Sequence, residues 1–460
     1  MANTVAKYQK YAEYQDSGVE WLGEIPRHWD SKPLKYLCTY NDEVLPETTA
    51  KDAEIQYIDI GSVSAVDGIS KIETMIFKDA PSRARRIVRD GDVIVSTVRT
   101  YLEAIAAINN PPENLIVSTG FAVIRPNQYL YKSFASYCLR AKGFIKEVVA
   151  RSVGVSYPAI NSSDLVNITI PSIEYVEQVK IANFLDHETA KIDTLIAKQE
   201  KLIELLKEKR QAVISHAVTK GLNPDAAMKD SGVEWLGQVP EHWDVIAISK
   251  VTQKITNGYV GPTRDILVEE GIPYVQATHI KKGKVNFDNA YFVREKWSND
   301  HAKSILKKDD VLIVQTGAGT GDVGLVSESE EGFNCHALII LQPKKQQLSG
   351  SYLAYCLQSD YGYATLYSIR TGGMHPHLNC GEVQFVKISV PPLDEQVAIS
   401  KFIEKNIQDF DQLIEKVKLA IQLMQERRTA LISSAVTGKI DVRHHASHPS
   451  GNDKKQKEGI

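Results

Sequence analysis

Two short stretches of this chain carry residue types that could do chemistry. Residues 317–324, GAGTGDVG, have the G-x-G-x-x-G spacing directly after the strand-like run VLIVQT, and in a Rossmann-type domain such a loop binds a dinucleotide or S-adenosylmethionine. The following residues, LVSESEEGFNCHALIIL, predict a strand, a turn and a strand, so we expect a glycine-rich loop whose bare N–H groups could still approach a phosphate. Residues 110–113, NPPE, resemble the N/D-P-P-aromatic signature of amino-methyltransferases. Because Glu113 replaces the aromatic residue that stacks on a flipped base, we interpret NPPE as a turn.

Other catalytic signatures are absent from the sequence. There is no P-loop, HExxH, GxSxG or nuclease-like carboxylate cluster, and the five cysteines are scattered without a CxxC pair. We therefore predict no catalytic residue and no metal site, and the cysteine pattern indicates reduced thiols in a cytoplasmic protein. Because there is no run of 18 apolar residues and no secretory signal, we expect no contact with a membrane.

The chain carries one phrase twice. Residues 16–30 read DSGVEWLGEIPRHWD, and residues 230–244 read DSGVEWLGQVPEHWD, 214 residues later. Further matches follow at an offset that settles at 218 residues, which predicts a tandem duplication of an α/β domain. We expect His28 and His242 in this phrase to be buried structural residues rather than catalytic ones. The tryptophans predicted as packing anchors are Trp21, Trp29, Trp235 and Trp243.

Each repeat ends in about 45 residues without glycine or proline, which predicts a long helix or a tightly broken pair of helices. Its apolar positions alternate in steps of four and three, as in a coiled-coil seam. We hypothesise an antiparallel pair in which Glu188 lies near Arg427 and Asn406 near Lys209. The alternative is two ordinary amphipathic helices, each packed on its own domain. The residues predicted for helix pairing or partner docking are Ile181, Leu185, Ile192, Leu195, Leu202, Leu206, Ile399, Ile403, Phe410, Leu413, Met424 and Leu431.

Two similar domains held at a set distance suit a ligand with two related sites, and duplex DNA is the commonest such ligand. The net charge is −3 and the isoelectric point about 6.5, so any DNA surface must be local. Arginine is the preferred reader of guanine edges and lysine makes point contacts with phosphate, although a run of charge is more often a solvated face. The candidate DNA contacts are Arg83, Arg85, Arg86, Arg89, Arg99, Arg151, Tyr157, Lys281, Lys282, Thr316, Thr320, Arg370, His375 and His377.

The opening DSGVEWLGEIPxHW, the segment IxxSDLxxIxIPxxxEQxxIAxFLDxxTAxIDxLI and the terminal KRxAxISxAVTxGL resemble the specificity subunit of type I restriction–modification systems. The resemblance covers residues 16–441 and occurs twice in the same order. It implies two target-recognition domains, each reading one half of a split double-stranded DNA sequence in the major groove, with a spacer set by the helices. It also implies two modification subunits, which carry S-adenosylmethionine and methylate adenine, and two restriction (motor–nuclease) subunits, which use ATP and Mg. The chain itself would bind no cofactor and do no chemistry.

The predicted fold is mixed α+β, with two tandem α/β target-recognition domains, each followed by a long helix. The two helices pair as an antiparallel coiled coil with pseudo-twofold symmetry. The predicted segments are recognition domains at 16–170 and 230–390, helical regions at 171–222 and 391–441, and a disordered tail at 442–460. Two other functions stay open at this point: a stand-alone adenine-N6 DNA methyltransferase, and a coiled-coil adaptor without a DNA role.

Overall fold

The computed structural model describes residues 8–64, 68–288, 291–317, 319–372 and 376–445. The chain divides into two compact units. Unit 1 comprises residues 1–199 and 419–460, and unit 2 comprises residues 200–418. Across the described ranges, each helix is too short or too polar to cross a membrane.

Unit 1 consists of short strands and helices followed by the first part of a long helix. Its strands are β1 (Tyr14–Asp16), β2 (Glu24–Pro26), β3 (Asp30–Pro33), β4 (Cys38–Tyr40), β5 (Glu54–Ile58), β6 (Val63–Ser64), β7 (Gly68–Ile69), β8 (Glu73–Ile76), β9 (Ala84–Ile87), β10 (Val93–Ser96), β11 (Ile105–Ala107), β12 (Leu115–Ser118), β13 (Phe121–Pro126) and β14 (Thr169–Ser172). Its helices are α1 (Lys132–Leu139), α2 (Lys142–Ala150), α3 (Ser162–Val166) and the beginning of α4 (Tyr175–Lys220).

Two four-stranded sheets form the centre of unit 1. The first has the order β11-β10-β13-β4 with antiparallel pairing throughout, and the second has the order β8-β5-β12-β9 with β5 and β12 parallel. Strand β10 is buried along its whole length, which explains why its sequence, VIVS, begins with three consecutive apolar residues rather than alternating. Helix α1 packs in the same core as Ile181 and Leu185 at the start of α4.

Unit 2 repeats this arrangement. Its strands are β15 (Met228–Asp230), β16 (Gln238–Pro240), β17 (Asp244–Ala247), β18 (Thr252–Asn257), β19 (Leu267–Val268), β20 (Ile272–Val275), β21 (Ile280–Lys281), β22 (Gly283–Val285), β23 (Phe292–Val293), β24 (Val311–Val314), β25 (Val323–Leu325), β26 (Asn334–Cys335), β27 (Leu338–Pro343) and β28 (Lys387–Val390). Its helices are α5 (Ile248–Val251), α6 (Glu295–Asp300), α7 (Gly350–Gln358), α8 (Asp360–Ser368), α9 (Cys380–Val383) and the beginning of α10 (Leu393–Val436).

The larger sheet of unit 2 has the order β18-β27-β24-β25-β22-β21, and the smaller has the order β19-β23-β20-β26. Strands β24 and β27 pair antiparallel, as β10 and β13 do in unit 1, and β17 pairs with β28 as β3 pairs with β14. The predicted duplication of an α/β domain followed by a long helix is therefore confirmed.

The long helices have clear sequence boundaries. Helix α4 spans 46 residues, and α10 spans 44 residues and begins directly after Pro391-Pro392, which suits a helix N-terminus. Gly221 follows α4 at φ +76°, and Gly438 lies just beyond α10 at φ +70°, the left-handed backbone that favours glycine at a helix end. Continuous helices, rather than broken pairs, are the observed form.

Within each unit, parts of α4 and α10 run antiparallel. In unit 1, Arg428 Nε donates to Asp193 Oδ1 at 2.8 Å, and the Tyr8 hydroxyl lies between Glu188 and Arg427, the pair predicted to fix the register. In unit 2, Arg210 Nη1 donates to Asp411 Oδ1 at 2.9 Å. Asn406 donates within its own helix, to the Phe402 carbonyl, at 2.8 Å.

The residues predicted for helix pairing or partner docking differ in burial, and those near the middle of each helix are more exposed. Buried seam residues are Ile181, Leu185, Ile192, Ile399, Ile403 and Leu431, and half-buried ones are Leu206, Phe410 and Met424. Leu195, Leu202 and Leu413 are instead 48%, 38% and 44% exposed, while their neighbours Ile196 and Ile203 are half-buried and Ile414 is buried. A straight helix with 3.6 residues per turn drifts away from a strict 3.5-residue repeat, so the inward position moves by one residue.

The duplicated phrase joins helix ends. In unit 1, the Glu177 carboxylate near the start of α4 accepts hydrogen bonds from Tyr11 Oη at 2.9 Å and Trp29 Nε1 at 3.2 Å, and lies 3.0 Å from His28 Nε2. A Cβ on Gly438, just past the end of α10, would lie 3.0 Å from the Trp29 ring. The phrase therefore fixes the start of one long helix against the end of the other.

Unit 2 uses the second phrase in the same way. His242 Nε2 lies 2.8 Å from a Glu395 carboxylate oxygen at the start of α10, and Trp243 packs against Gly221 at the end of α4. The prediction of buried histidines is wrong, because the side chains of His28 and His242 are 46% and 53% exposed. In each pair, the histidine Nε2 faces the glutamate near the start of the long helix, while the rest of the side chain is partly exposed to water.

Of the four tryptophans predicted as anchors, Trp29 and Trp243 are buried, Trp21 is half-buried and Trp235 is 58% exposed. Trp21 lies against Gly143, and its Nε1 donates to the Thr169 carbonyl at 3.0 Å. In unit 2, Tyr361 stands where unit 1 has Gly143, and its hydroxyl donates at 2.8 Å to Lys387 O, the counterpart of that carbonyl. Tyrosine thus takes over the bond and the space, and the prediction for Trp235 is wrong.

The predicted disordered tail is wrong at its first residues. Val442 is buried, Arg443 lies 4.7 Å from the centroid of the Tyr11 ring, and His445 contacts the Tyr8 ring at 5.4 Å between centroids. Val442 therefore belongs to the core of unit 1, and Arg443 and His445 pack against aromatic rings at its edge. Residues 446–460 lie outside the described residues.

A buried aspartate is repeated with different partners. Asp92 caps the Arg89 N–H at 2.7 Å and receives two bonds from Arg125, at 2.9 and 2.8 Å. Its counterpart, Asp310, caps the Lys307 N–H at 2.9 Å, but its side-chain partner is the neutral Gln342 at 3.2 Å. Burial raises the pKa of Asp310 to about 6 despite these two bonds.

The two tryptophan environments give a stability prediction. Trp21→Ala removes packing on Gly143 and one hydrogen bond, so we expect it to lower the free energy of unfolding by about 2–3 kcal/mol. Trp235→Ala, the matched control in the other copy, should change it by less than about 0.5 kcal/mol, since the ring is largely exposed. Guanidinium unfolding of the two variants measures the difference, and equal losses would contradict the assignment of Tyr361 as the substitute.

The repeated aspartate gives a pH prediction. Between pH 4 and 6 the folded state retains a proton on Asp310 that the unfolded state releases, so this group's contribution to stability falls as pH rises through that window. Asp310→Asn should therefore stabilise the protein by about 2 kcal/mol at pH 8 and by almost nothing near pH 4. Asp92→Asn is the control. It strips Arg125 of two charged bonds and should destabilise at pH 8 by about 2–3 kcal/mol. A loss of stability at pH 8 in both variants would refute the distinction.

Candidate nucleic-acid interface

Two loops of unit 1 are joined by backbone hydrogen bonds, and we call residues 97–103 and 151–161 loop pair 1. Val153 and Ala159 exchange two N–H···O bonds, of 2.8 and 3.0 Å, which close the second loop into a narrow hairpin. The Ile160 N–H donates to the Thr97 carbonyl at 2.9 Å and fastens this hairpin to the end of β10. The loops are therefore held by the rigid sheet beneath them.

Unit 2 contains the same construction, and we call residues 315–322 and 369–379 loop pair 2. Thr371 and His377 exchange bonds of 3.0 and 2.8 Å, and the Leu378 N–H donates to the Gln315 carbonyl at 2.9 Å. Each of these positions lies 218 residues after its counterpart in loop pair 1. Ala318 and residues 373–375, including the candidate His375, lie outside the described residues.

Loop pair 1 brings together two of the predicted contacts, Arg99 and Tyr157. The guanidinium carbon of Arg99 lies 5.1 Å from the centroid of the Tyr157 ring, a cation–π geometry, and the ring is 65% exposed. Behind them, Thr100 and Ser152 are joined by a hydroxyl–hydroxyl bond of 2.7 Å. An arginine and an aromatic ring therefore project together from a fixed backbone.

The other predicted arginines of unit 1 have partners within the protein. Arg83 is 3.3 Å from Asp59, Arg89 is 2.7 Å from Glu43, and Arg151 is 3.1 Å from Glu147 of α2. Arg85 lies 4.8 Å from the centroid of the Phe77 ring. Arg86 is half-buried, and burial lowers its pKa; within the described residues its Nε and Nη1 make no hydrogen bond. These arginines do not form the single exposed cluster that their spacing suggested.

Loop pair 2 gathers Thr316, Thr320, Arg370 and His377. Arg370 lies 4.6 Å from the centroid of the Tyr367 ring, and its Nη2 donates to the Thr320 carbonyl. Thr320 Oγ1 donates to the Pro376 carbonyl at 3.2 Å, and His377 Nε2 lies 3.0 Å from Thr371 Oγ1. Arg370 here braces the loop across from it, whereas Arg99 points outward.

The glycine-rich stretch is a loop between antiparallel strands, β24 and β25, as predicted. Gly321 has φ +95°, the left-handed backbone that favours glycine, and a Cβ there would lie 2.8 Å from Arg370 Nη2. A cofactor site of the Rossmann type would need a helix after this loop, and a strand follows instead. NPPE forms a turn, with the Leu115 N–H bonded to the Pro112 carbonyl at 3.1 Å.

Lys281 and Lys282 lie at the hairpin between β21 and β22, and Lys282 has left-handed backbone at φ +51°. A cavity of about 360 Å³ is lined by Lys282 and Gly321 and also by Lys207 and Arg210 of α4. Sequence reasoning missed Lys207 and Arg210, although their spacing of three residues on a predicted helix puts them on one face.

The family model for the type I restriction modification DNA specificity domain matches residues 26–205 and again residues 240–423. The chain belongs to this family of specificity subunits. Two curated specificity subunits from Methanocaldococcus jannaschii are similar to it. MjaIX is 23% identical over 95% of this chain and 99% of its own length, and MjaVIII is 23% identical over 72% and 76%.

Solved structures show the same fold for this specificity subunit. A chain from a study of complex assembly and conformational transition of the type I R-M system covers 90% of this chain and 98% of its own, with a TM-score of 0.69 and 21% identity. The HsdS subunit from Thermoanaerobacter tengcongensis gives a TM-score of 0.53 and 22% identity over the same shares. The specificity subunit has a non-catalytic role in DNA recognition, and the methyltransferase and adaptor alternatives have no support.

Proposed function

We propose that loop pair 1 and loop pair 2 each read one half of a bipartite DNA target. The observation that carries this proposal is the identical hydrogen-bonding scaffold, repeated at a 218-residue offset with different exposed side chains. Backbone bonds join the two loops of each pair and close one loop of each pair at its base, while Arg99 and Tyr157 in one pair and His377 in the other provide different chemistry. Two loop pairs with the same backbone bonds and different exposed side chains suit a DNA target whose two half-sites differ in sequence.

Phosphate contacts would come from local positive charge, because the chain as a whole is slightly acidic. In unit 2, we assign this role to Lys282 and Lys207, which line one cavity beside the glycine-rich loop. Lys281 and the partly paired Arg83 and Arg85 would add weaker contacts at the edges of the two recognition surfaces. A steep fall in DNA affinity with salt is the signature of such contacts.

The outer faces of the long helices would dock partner subunits. Leu195, Leu419 and Leu423 in unit 1 are 48%, 56% and 54% exposed, and Leu202, Leu205 and Leu413 in unit 2 are 38%, 49% and 44% exposed. Leucines that repeatedly face solvent on a helix favour an interface over a free surface. We assign this face to two modification subunits, which would carry S-adenosylmethionine, with two restriction subunits supplying ATP- and Mg-dependent cleavage. The chain would bind no cofactor itself and would act in the cytoplasm.

Recognition is tested with Tyr157→Ala and His377→Ala, each assembled with the modification subunits. Tyr157→Ala should reduce discrimination at the half-site read by unit 1 by about 10-fold, since contacts with base edges contribute about 1–3 kcal/mol. His377→Ala should affect only the other half-site. Sequencing of the methylated DNA and competition binding with half-site mutants provide the measurements.

These two variants serve as controls for each other. Loss of preference at both half-sites in either variant would contradict the assignment of one loop pair to each half. An unchanged bipartite motif in both variants would show that reading occurs elsewhere on the units.

Docking is tested at Leu202. Leu202→Pro interrupts α4, at a cost of about 3 kcal/mol or more, and should abolish assembly with the modification subunits. Leu202→Glu keeps the helix and should change stability little, because the side chain is 38% exposed, yet it should weaken co-purification of those subunits. Full assembly of the glutamate variant would exclude this leucine from the docking face.

A further inference from the structure

Loop pair 1 holds an arginine where the scaffold favours glycine. Arg99 has φ +51° and ψ +47°, the left-handed region that residues other than glycine rarely adopt. Its counterpart 218 residues later is Gly317, which also has positive φ, at +94°. The duplicated scaffold therefore requires left-handed backbone at this turn, and unit 1 keeps a large side chain there despite the conformational cost.

That side chain is presented to solvent rather than used within the protein. Arg99 is exposed and makes no ion pair within the described residues, unlike Arg83, Arg89 and Arg151. Its guanidinium rests on the exposed Tyr157 ring at 5.1 Å, which limits its rotamers before any ligand arrives. A guanidinium restrained in this way loses little entropy when it forms two parallel hydrogen bonds.

The surroundings of Arg99 fit base edges better than a phosphate backbone. Exposed side chains on loop pair 1 include the apolar or aromatic Val153 at 79%, Val155 at 102% and Tyr101 at 54% exposed. The two loops carry one other cation, Arg151, which is paired with Glu147, and one exposed carboxylate, Glu103. Phosphate surfaces depend on several cations together, whereas an arginine among apolar groups matches the major groove, with its base acceptors and thymine methyls.

We propose that Arg99 reads a guanine in the half-site bound by unit 1, donating two N–H groups to guanine O6 and N7. The inference rests on the proposed function of loop pair 1 and specifies its chemistry. Because Gly317 has no side chain, unit 2 lacks an equivalent contact. The difference between Arg99 and Gly317 is therefore one reason why the two half-sites would differ in sequence.

The duplicate also supplies the test variant. Arg99→Gly copies the residue that the other unit already carries at this turn. It removes the side chain and also removes the conformational cost of a non-glycine residue in the left-handed region. The specificity subunit, assembled with its modification subunits, is prepared as wild type, Arg99→Gly and Arg99→Lys. Binding is measured by competition among duplexes that carry each base at each position of the target.

We expect Arg99→Gly to abolish a preference for guanine of roughly 10- to 100-fold at one position, with the other half-site unchanged and the thermal stability of the complex not lowered. Arg99→Lys should keep most of the affinity but lose most of that discrimination, because lysine lacks the planar pair of donors. A uniform loss of affinity for all sequences, with the salt dependence reduced by about one unit, would identify a phosphate contact and overturn the proposal.

Two other outcomes are separable from these. If Arg99→Gly leaves every base preference intact while Tyr157→Ala removes one, loop pair 1 reads DNA without Arg99, and only the present inference fails. If neither variant alters either half-site, the proposed function of loop pair 1 fails as well.

Discussion

The remaining architecture depends on the contacts that the Glu177 and Glu395 carboxylates make with the duplicated phrase. Each lies near the start of a long helix and pairs with the histidine of one copy of the duplicated phrase, at 3.0 Å for His28 and 2.8 Å for His242. The adjacent tryptophan packs against the glycine that ends the other helix. Both long helices are thereby fixed at their ends by a short histidine–glutamate contact and a buried tryptophan, and the recognition domains are fixed to the helices through the same phrase.

The duplication predicted most of the fold, because a repeat at a constant offset constrains both copies at once. Strands such as β10 and β24, and the bounds of the long helices, follow from apolar runs and from proline and glycine positions. The middle of the seam could not be placed in this way, since apolar residues at both Leu195 and Ile196 allow two inward faces. Which face is buried depends on where the second helix packs, and this cannot be predicted from the local sequence.

The candidate site was predictable only in part, for a related reason. Arg99 and Tyr157 lie 58 residues apart in sequence and meet because backbone bonds join their loops. The clustered arginines at 83–89 look like a basic patch in sequence, yet Asp59 and Glu43 neutralise two of them from distant segments. Comparing the copies is more informative than either alone. Arg125 against Gln342, Gly143 against Tyr361 and Arg99 against Gly317 each identify a position where the scaffold is constant and the chemistry differs.

Unit 1 is assembled from both ends of the chain, whereas unit 2 is one continuous segment. Leu431, Val436 and Val442 belong to the same core as Leu22, Phe134 and Ile181, and the Asp441 N–H bonds to the Gln9 carbonyl at 2.8 Å. During synthesis on the ribosome, residues 1–199 therefore cannot complete this core until residues 431–442 have been made. Unit 2 lies between these two segments, so its own core can be complete while unit 1 still exposes apolar surface.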